Sequence, residues 1–154
     1  LRMKDDYDGA EPSATSVSVG NLIGLAHLTG DAEWRTRVER TFQGAAARIE
    51  GAGRSVPMML AGLSAWHAGV QQVAVVGAAG DEAREVLEQV IARRDVPIAV
   101  VVRVEPGERQ GRLASIAPFV GAMRALDGRA TAYVCRDFAC QAPTSDPEDL
   151  LRAL

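Results

Sequence analysis

Cysteine is scarce in this sequence: Cys135 and Cys140 are the only two among 154 residues. Two thiols do not make a disulfide scaffold for a chain this long, and a reducing cytoplasm is the expected setting. Histidine is equally scarce. His27 and His67 are the only two, whereas zinc sites draw three or four ligands at short spacings. They read as structural or surface residues, and no metal site and no cofactor is expected. Aromatic residues make up 5% of the chain, which leaves few platforms for stacking sugars. No stretch approaches the ~20 apolar residues of a membrane helix, and "VPIAVVV" is far too short. A net charge of -3 and a pI near 5.4 provide no electrostatic footprint for nucleic acid or an anionic membrane. The start, "LRMKDDYDGAEP", has no apolar core and is not read as a signal peptide. It opens on Leu1 rather than Met, so a longer polypeptide is expected upstream.

What is present divides into two patterns. Over residues 13–69 apolar residues recur at spacings of three and four: Val19, Leu22, Ile23 and Ala26, then Trp34, Val38, Phe42, Ala45 and Ile49. Gly30 suits a helix C′ position, Asp31 an N-cap, and Pro57 the first turn of a third helix with Met58, Leu60, Leu63 and Trp66. Short loops make these helices antiparallel hairpins. From Gln72 onward, "VAVVG", "PIAVVVRV" and "TAYVC" are continuous apolar runs, the signature of strands covered on both faces. A helix over 81–94 separates the first two. "EPGERQG" reads as a loop, a helix is expected to start at Pro118, and Ser145 with Glu148 forms a capping box for the last helix. The fold class is therefore α/β: helical hairpins over 1–70, then a small three-stranded, mostly parallel sheet with crossover helices over 71–154. The strands are expected at 73–77, 98–104 and 131–135.

Few motifs carry chemistry. "GAAGDEAREV" lacks the glycine spacing of a dinucleotide fingerprint and the lysine of a P-loop, so it reads as a plain strand-to-helix turn. Trp34 and Trp66 lie on apolar stripes and read as core anchors. "DYDGAEPS" sets Asp8, Glu11 and Ser13 before a helix start. Paired carboxylates perform glycoside chemistry, and helix N-termini bind polar groups. The structural alternative is a capped helix start. Cys135 and Cys140, fully extended, would have α-carbons about 16 Å apart at ~3.3 Å per residue. A bond thus requires the chain to fold back through "RDFA". Two reduced thiols at the strand end are expected, with a reversible disulfide as the alternative and a metal as a distant third.

"DGAEPSATSVSVGNLIGLAHLTGD" (8–31) and "TAYVCRDFACQAPTSDPEDL" (131–150) resemble the C-terminal region of the spermatogenesis-associated protein 20 family. The resemblance implies a longer protein with a thioredoxin-like domain followed by an (α/α) toroid similar to sugar epimerases and six-hairpin glycosidases. Helices 13–69 would be closing hairpins of the toroid and the sheet an appended unit. Asp8 and Glu11 become candidate catalytic residues on a rim loop, Ser13 and Ser16 candidate substrate-binding residues, and Cys135 and Cys140 candidate redox residues. The expected partner is the missing N-terminal part of the same protein or a second copy, with no nucleic acid and no membrane. Two functional readings follow: a fragment of a carbohydrate-active protein, or a thiol-linked, non-catalytic interaction module. Whether the chain is an enzyme stays open, and turnover by this stretch alone is not expected.

Overall fold

The computed structural model describes residues 7–96 and 98–154. The chain forms two compact units. One comprises the residues up to Ala26 with Asp31–Gly69, and the other His27–Gly30 with Val70–Leu154.

The first unit holds most of α1 (Ala14–Thr29), then α2 (Ala32–Ala52), a 3₁₀ turn at Gly53–Ser55 and α3 (Pro57–Ala68). Local chemistry fixes the boundaries. Gly30 adopts φ +70, the left-handed conformation that ends α1. The Asp31 side chain accepts from the Glu33 N–H at 2.8 Å and caps α2. Pro57 opens α3, where its missing N–H costs nothing. Val19, Ile23, Val38, Phe42 and Met59 are buried. Gly62 is buried with them, and a Cβ there would come within 2.9 Å of a Val19 methyl. On α3, Met58 and Leu60 are exposed, and Met59 and Gly62 turn inward.

The second unit is built on a four-stranded sheet in the order β2-β1-β3-β4. β1 (Gln71–Val76) is central, β2 (Val100–Val104) and β3 (Thr131–Arg136) flank it, and β4 (Ala139–Cys140) lies outside β3. β1 and β2 pair in parallel, with α4 (Glu82–Ala92) between them in the chain. β3 runs antiparallel to β1, and β4 antiparallel to β3. The mostly parallel three-stranded arrangement is therefore corrected to a mixed sheet of four. An unbroken apolar run records burial on both faces, not strand direction. That burial is observed for β1, whose residues are all buried, but not for β2, where Val101 and Arg103 are exposed. Val73, Val75, Ala132 and Val134 pack with Leu87, Ile91 and Leu150, while Ala74, Val76, Val102 and Val104 pack with Val120, Met123 and Cys135.

Three further expectations shift. α5 (Glu108–Ala114) occupies the end of the expected loop, and the segment at Pro118 is only a 3₁₀ turn, Pro118–Val120. The last helix, α6 (Pro147–Ala153), is capped by Asp146 rather than Ser145, because Pro147 takes the first helical position. On α4, Leu87 and Ile91 are buried but Val86 is exposed, and the guanidinium of Arg84 is drawn inward by the Gly77 carbonyl at 3.1 Å and Glu88 at 2.7 Å.

The inward face of α4 can be tested by truncation. Leu87→Ala is expected to lower the unfolding free energy by about 2–5 kcal/mol, the range for large buried aliphatic residues. Val86→Ala is expected to stay within about 0.5 kcal/mol. Denaturant unfolding of the two variants measures the difference, and equal effects would show the wrong face was assigned.

Candidate functional site

The acidic loop of the first unit is organised around Asp8, which is buried. Its Oδ1 accepts from the Ser13 N–H at 2.8 Å. Oδ2 accepts from the N–H groups of Met58 at 2.9 Å and Met59 at 3.4 Å, in the first turn of α3. The Asp8 N–H donates to the Ser55 carbonyl at 2.8 Å. Burial raises the pKa of this carboxyl, but hydrogen bonds from Ser13, Ser16 and Met58 outweigh it and hold it below its ordinary value. Asp8 therefore acts as a cap reaching across fifty residues of sequence onto α3. Ser13 and Ser16 are buried beside it. The Ser13 hydroxyl donates to Ser16 Oγ at 2.9 Å, and the Ser16 N–H donates to Ser13 Oγ at 3.2 Å, which caps α1. Glu11 is exposed, and its carbonyl accepts from the Gly9 N–H. The structure thus gathers Asp8, Ser13 and Ser16 into one network, which among the described residues does not include the Glu11 side chain.

In the second unit the two cysteines meet. The expectation of two reduced thiols is corrected: Cys135 and Cys140 form a disulfide. The reason is a hairpin. β3 and β4 are joined by the two residues Asp137 and Phe138, with φ +47 and +67. Positive φ at both central residues is what a type I′ turn requires. A two-residue turn sets Arg136 opposite Ala139 and Cys135 opposite Cys140. The Gln141 N–H donates to the Val134 carbonyl at 2.9 Å, which leaves the cysteines at the intervening, closer position of the ladder, with α-carbons 3.8 Å apart. Their environments differ. Cys135 is 1% exposed and belongs to the core, whereas Cys140 is exposed.

Side chains that sequence reasoning left aside hold the turn. Asp137 Oδ1 lies 3.0 Å from Nε2 of His27 and accepts from the Val70 N–H at 3.3 Å. The Asp137 N–H donates to the Val70 carbonyl at 3.2 Å. The Phe138 N–H donates to Gln72 Oε1 at 3.1 Å, and Gln72 Nε2 donates to the His27 carbonyl at 3.3 Å. The His27 ring stacks on Phe138 with centroids 6.0 Å apart, and Phe119 meets Phe138 edge-on at 6.1 Å. Among the described residues no three His, Cys, Asp or Glu side chains converge as metal ligands.

All 154 residues align with spermatogenesis-associated protein 20 of Homo sapiens at 34% identity and of Rattus norvegicus at 32%, covering 20% and 19% of those proteins. The chain is homologous throughout to spermatogenesis-associated protein 20. An uncharacterised protein of Caenorhabditis elegans matches 97% of the chain at 29% identity. The chain spans about a fifth of the length of these curated relatives, in their C-terminal region. No family model matches, and no solved structure matches.

Sequence reasoning had found the thiols and the acidic loop but not the clasp. His27, Gln72 and Asp137 are distant in the chain, and only the hairpin brings them together. The available signal was Asp137, a residue that tolerates φ > 0; the Phe after it, where Gly is usual, concealed the turn.

The capping role of Asp8 has a consequence for acid stability. A carboxyl with a depressed pKa stabilises the fold when ionised, and the effect is lost as acid protonates it. Asp8→Asn is expected to cost about 1–3 kcal/mol at neutral pH, since backbone donors lose their acceptor. The gap between the variant and the parent should narrow below roughly pH 4, as followed by urea unfolding across pH. A constant gap would refute the assignment.

Proposed function

We propose that this chain is a thiol-linked module of the longer family protein, in which the Cys135–Cys140 hairpin exchanges electrons with a partner dithiol. The observation that carries the reading is the asymmetric pair: one exposed and one core cysteine, directly opposed in a two-residue hairpin. Structural disulfides staple distant parts of a chain, and the stabilisation grows with the loop they close. A bridge with a sequence separation of 5 constrains little, so its chemistry is the better account of it.

The exchange runs as follows. A thiolate of the partner attacks Sγ of Cys140, the accessible end. The Sγ–Sγ bond breaks, and Cys135 leaves as a thiolate that takes up a proton. The partner's second thiolate then attacks its own sulfur in the mixed disulfide and releases Cys140. Two electrons move: the partner dithiol becomes a disulfide and the hairpin a dithiol. The thioredoxin-like domain that the resemblance implies for the longer protein would be a dithiol of the required class. The alternative, a piece of a sugar-processing toroid using Asp8 and Glu11 for acid–base work, has less support. Both Asp8 oxygens already accept backbone N–H groups, and its depressed pKa keeps it without a proton to donate.

Single-cysteine variants test the reading. With Cys135→Ser, Cys140 is expected to form a mixed disulfide with glutathione disulfide about tenfold or more faster than Cys135 does in Cys140→Ser, because reactivity follows access to the thiolate. Mass spectrometry of intact protein gives both rates. Equal rates, or a parent chain whose two thiols stay free under oxidising conditions, would overturn it.

A further inference from the structure

The hairpin turn is held by contacts that do not pass through sulfur. Asp137 grips Val70 through both its backbone N–H, 3.2 Å from the Val70 carbonyl, and its Oδ1, 3.3 Å from the Val70 nitrogen. The same oxygen lies 3.0 Å from Nε2 of His27, which is 2% exposed. These partners are fixed in turn: Val70 immediately precedes the central strand, and the His27 carbonyl is tied to Gln72.

We infer that Asp137 is a positioning residue for the Cys135–Cys140 couple, its carboxylate keeping the two reduced thiols opposed and so raising their effective concentration. The inference rests on the thiol-exchange reading and adds how the dithiol is kept ready to close. A chain released from its disulfide has reason to leave this turn. Two successive residues have positive φ, and one is Phe, for which that region is costly. In the oxidised hairpin the covalent bond closes the turn with or without the carboxylate. In the reduced hairpin the carboxylate, alongside the Gln72 bond and the Phe138 ring contacts, opposes relaxation. Removing it therefore favours the relaxed dithiol over the disulfide, and the couple becomes easier to reduce. A residue that merely stabilised the fold would affect both redox states equally and leave the potential unchanged.

The test compares the full chain with Asp137→Gly and Asp137→Asn, equilibrated in glutathione redox buffers and quantified by alkylation and mass spectrometry. Glycine accepts positive φ, so this variant removes the carboxylate without adding backbone strain. Asp137→Gly is expected to lower the effective concentration about tenfold, a shift of roughly 30 mV toward easier reduction. Asp137→Asn keeps an Oδ1 acceptor and should stay within about threefold of the parent. A second readout needs no variant: in the reduced parent chain the Asp137 and Phe138 amides should remain protected from hydrogen exchange, as in the oxidised chain. An unchanged Asp137→Gly potential, or loss of that protection on reduction, overturns the positioning role while leaving thiol exchange standing. A parent chain that reaches no equilibrium with glutathione overturns the exchange reading itself, and the positioning role with it.

Discussion

A glutamine amide with no exposed surface must find a donor and an acceptor inside the protein, and at Gln72 that requirement organises the second unit. Gln72 lies in the central strand and is 0% exposed. Its Oε1 accepts from the Phe138 N–H, which can only donate, and its Nε2 donates to the His27 carbonyl, which can only accept. The two contacts leave no ambiguity about which end of the amide is which. Breaking either strands a buried polar group at a cost of about 1–3 kcal/mol. One side chain thus ties the tip of the β3–β4 hairpin and the last turn of α1 to the middle of the sheet.

The thiol pair follows from the same strand. Gln72 is the register partner of Cys135 across β1 and β3, so the two side chains share a sheet face. That face is the one buried under Val120 and Met123, and it takes Cys135 out of solvent. Cys140 lies on the two-residue outer strand, which no further strand covers among the described residues. The asymmetry of the couple is thus a property of sheet order: the inner sulfur belongs to a core strand and the outer one to an edge. The scarcity of cysteine pointed to a reducing compartment, where structural disulfides are rare and the exceptions are transient, catalytic or sensing. The exchange reading we propose would place a hairpin disulfide with one accessible end among those exceptions.

Much of this was legible in the sequence, for definite reasons. Asp31, Pro57 and Gly30 mark helix ends because caps act through their immediate neighbours. The apolar runs announced the strands β1 and β2, and β1 is indeed covered on both faces, whereas β2 exposes Val101 and Arg103. Strand direction was not legible, because burial is blind to it, and β3 proved antiparallel. The face of α3 was not legible because nearly every residue of "PMMLAGLSAWHA" is apolar, leaving no polar side to orient it. In the acidic loop the sequence located Asp8, Ser13 and Ser16 but not the use made of Asp8, since its partners on α3 are fifty residues away. The clasp on the hairpin was invisible for the same reason: His27 and Asp137 are separated by 110 positions.

The residue least suited to its backbone explains how the hairpin depends on the rest of its unit. An Asn-Gly or Asp-Gly turn would close by local preference alone, but Phe138 sits at φ +67 against its own preference. What offsets that cost is tertiary. The ring stacks on His27 and meets the edge of Phe119, contacts each worth about 0.5–1.5 kcal/mol beyond burial, and its N–H is taken by Gln72. A glycine would relieve the backbone and forfeit every ring contact. The turn is therefore closed by the core around it rather than by its own sequence. The geometry of the two sulfurs follows the integrity of that core, so a change at His27, Gln72 or Phe119 reaches the thiols without touching them.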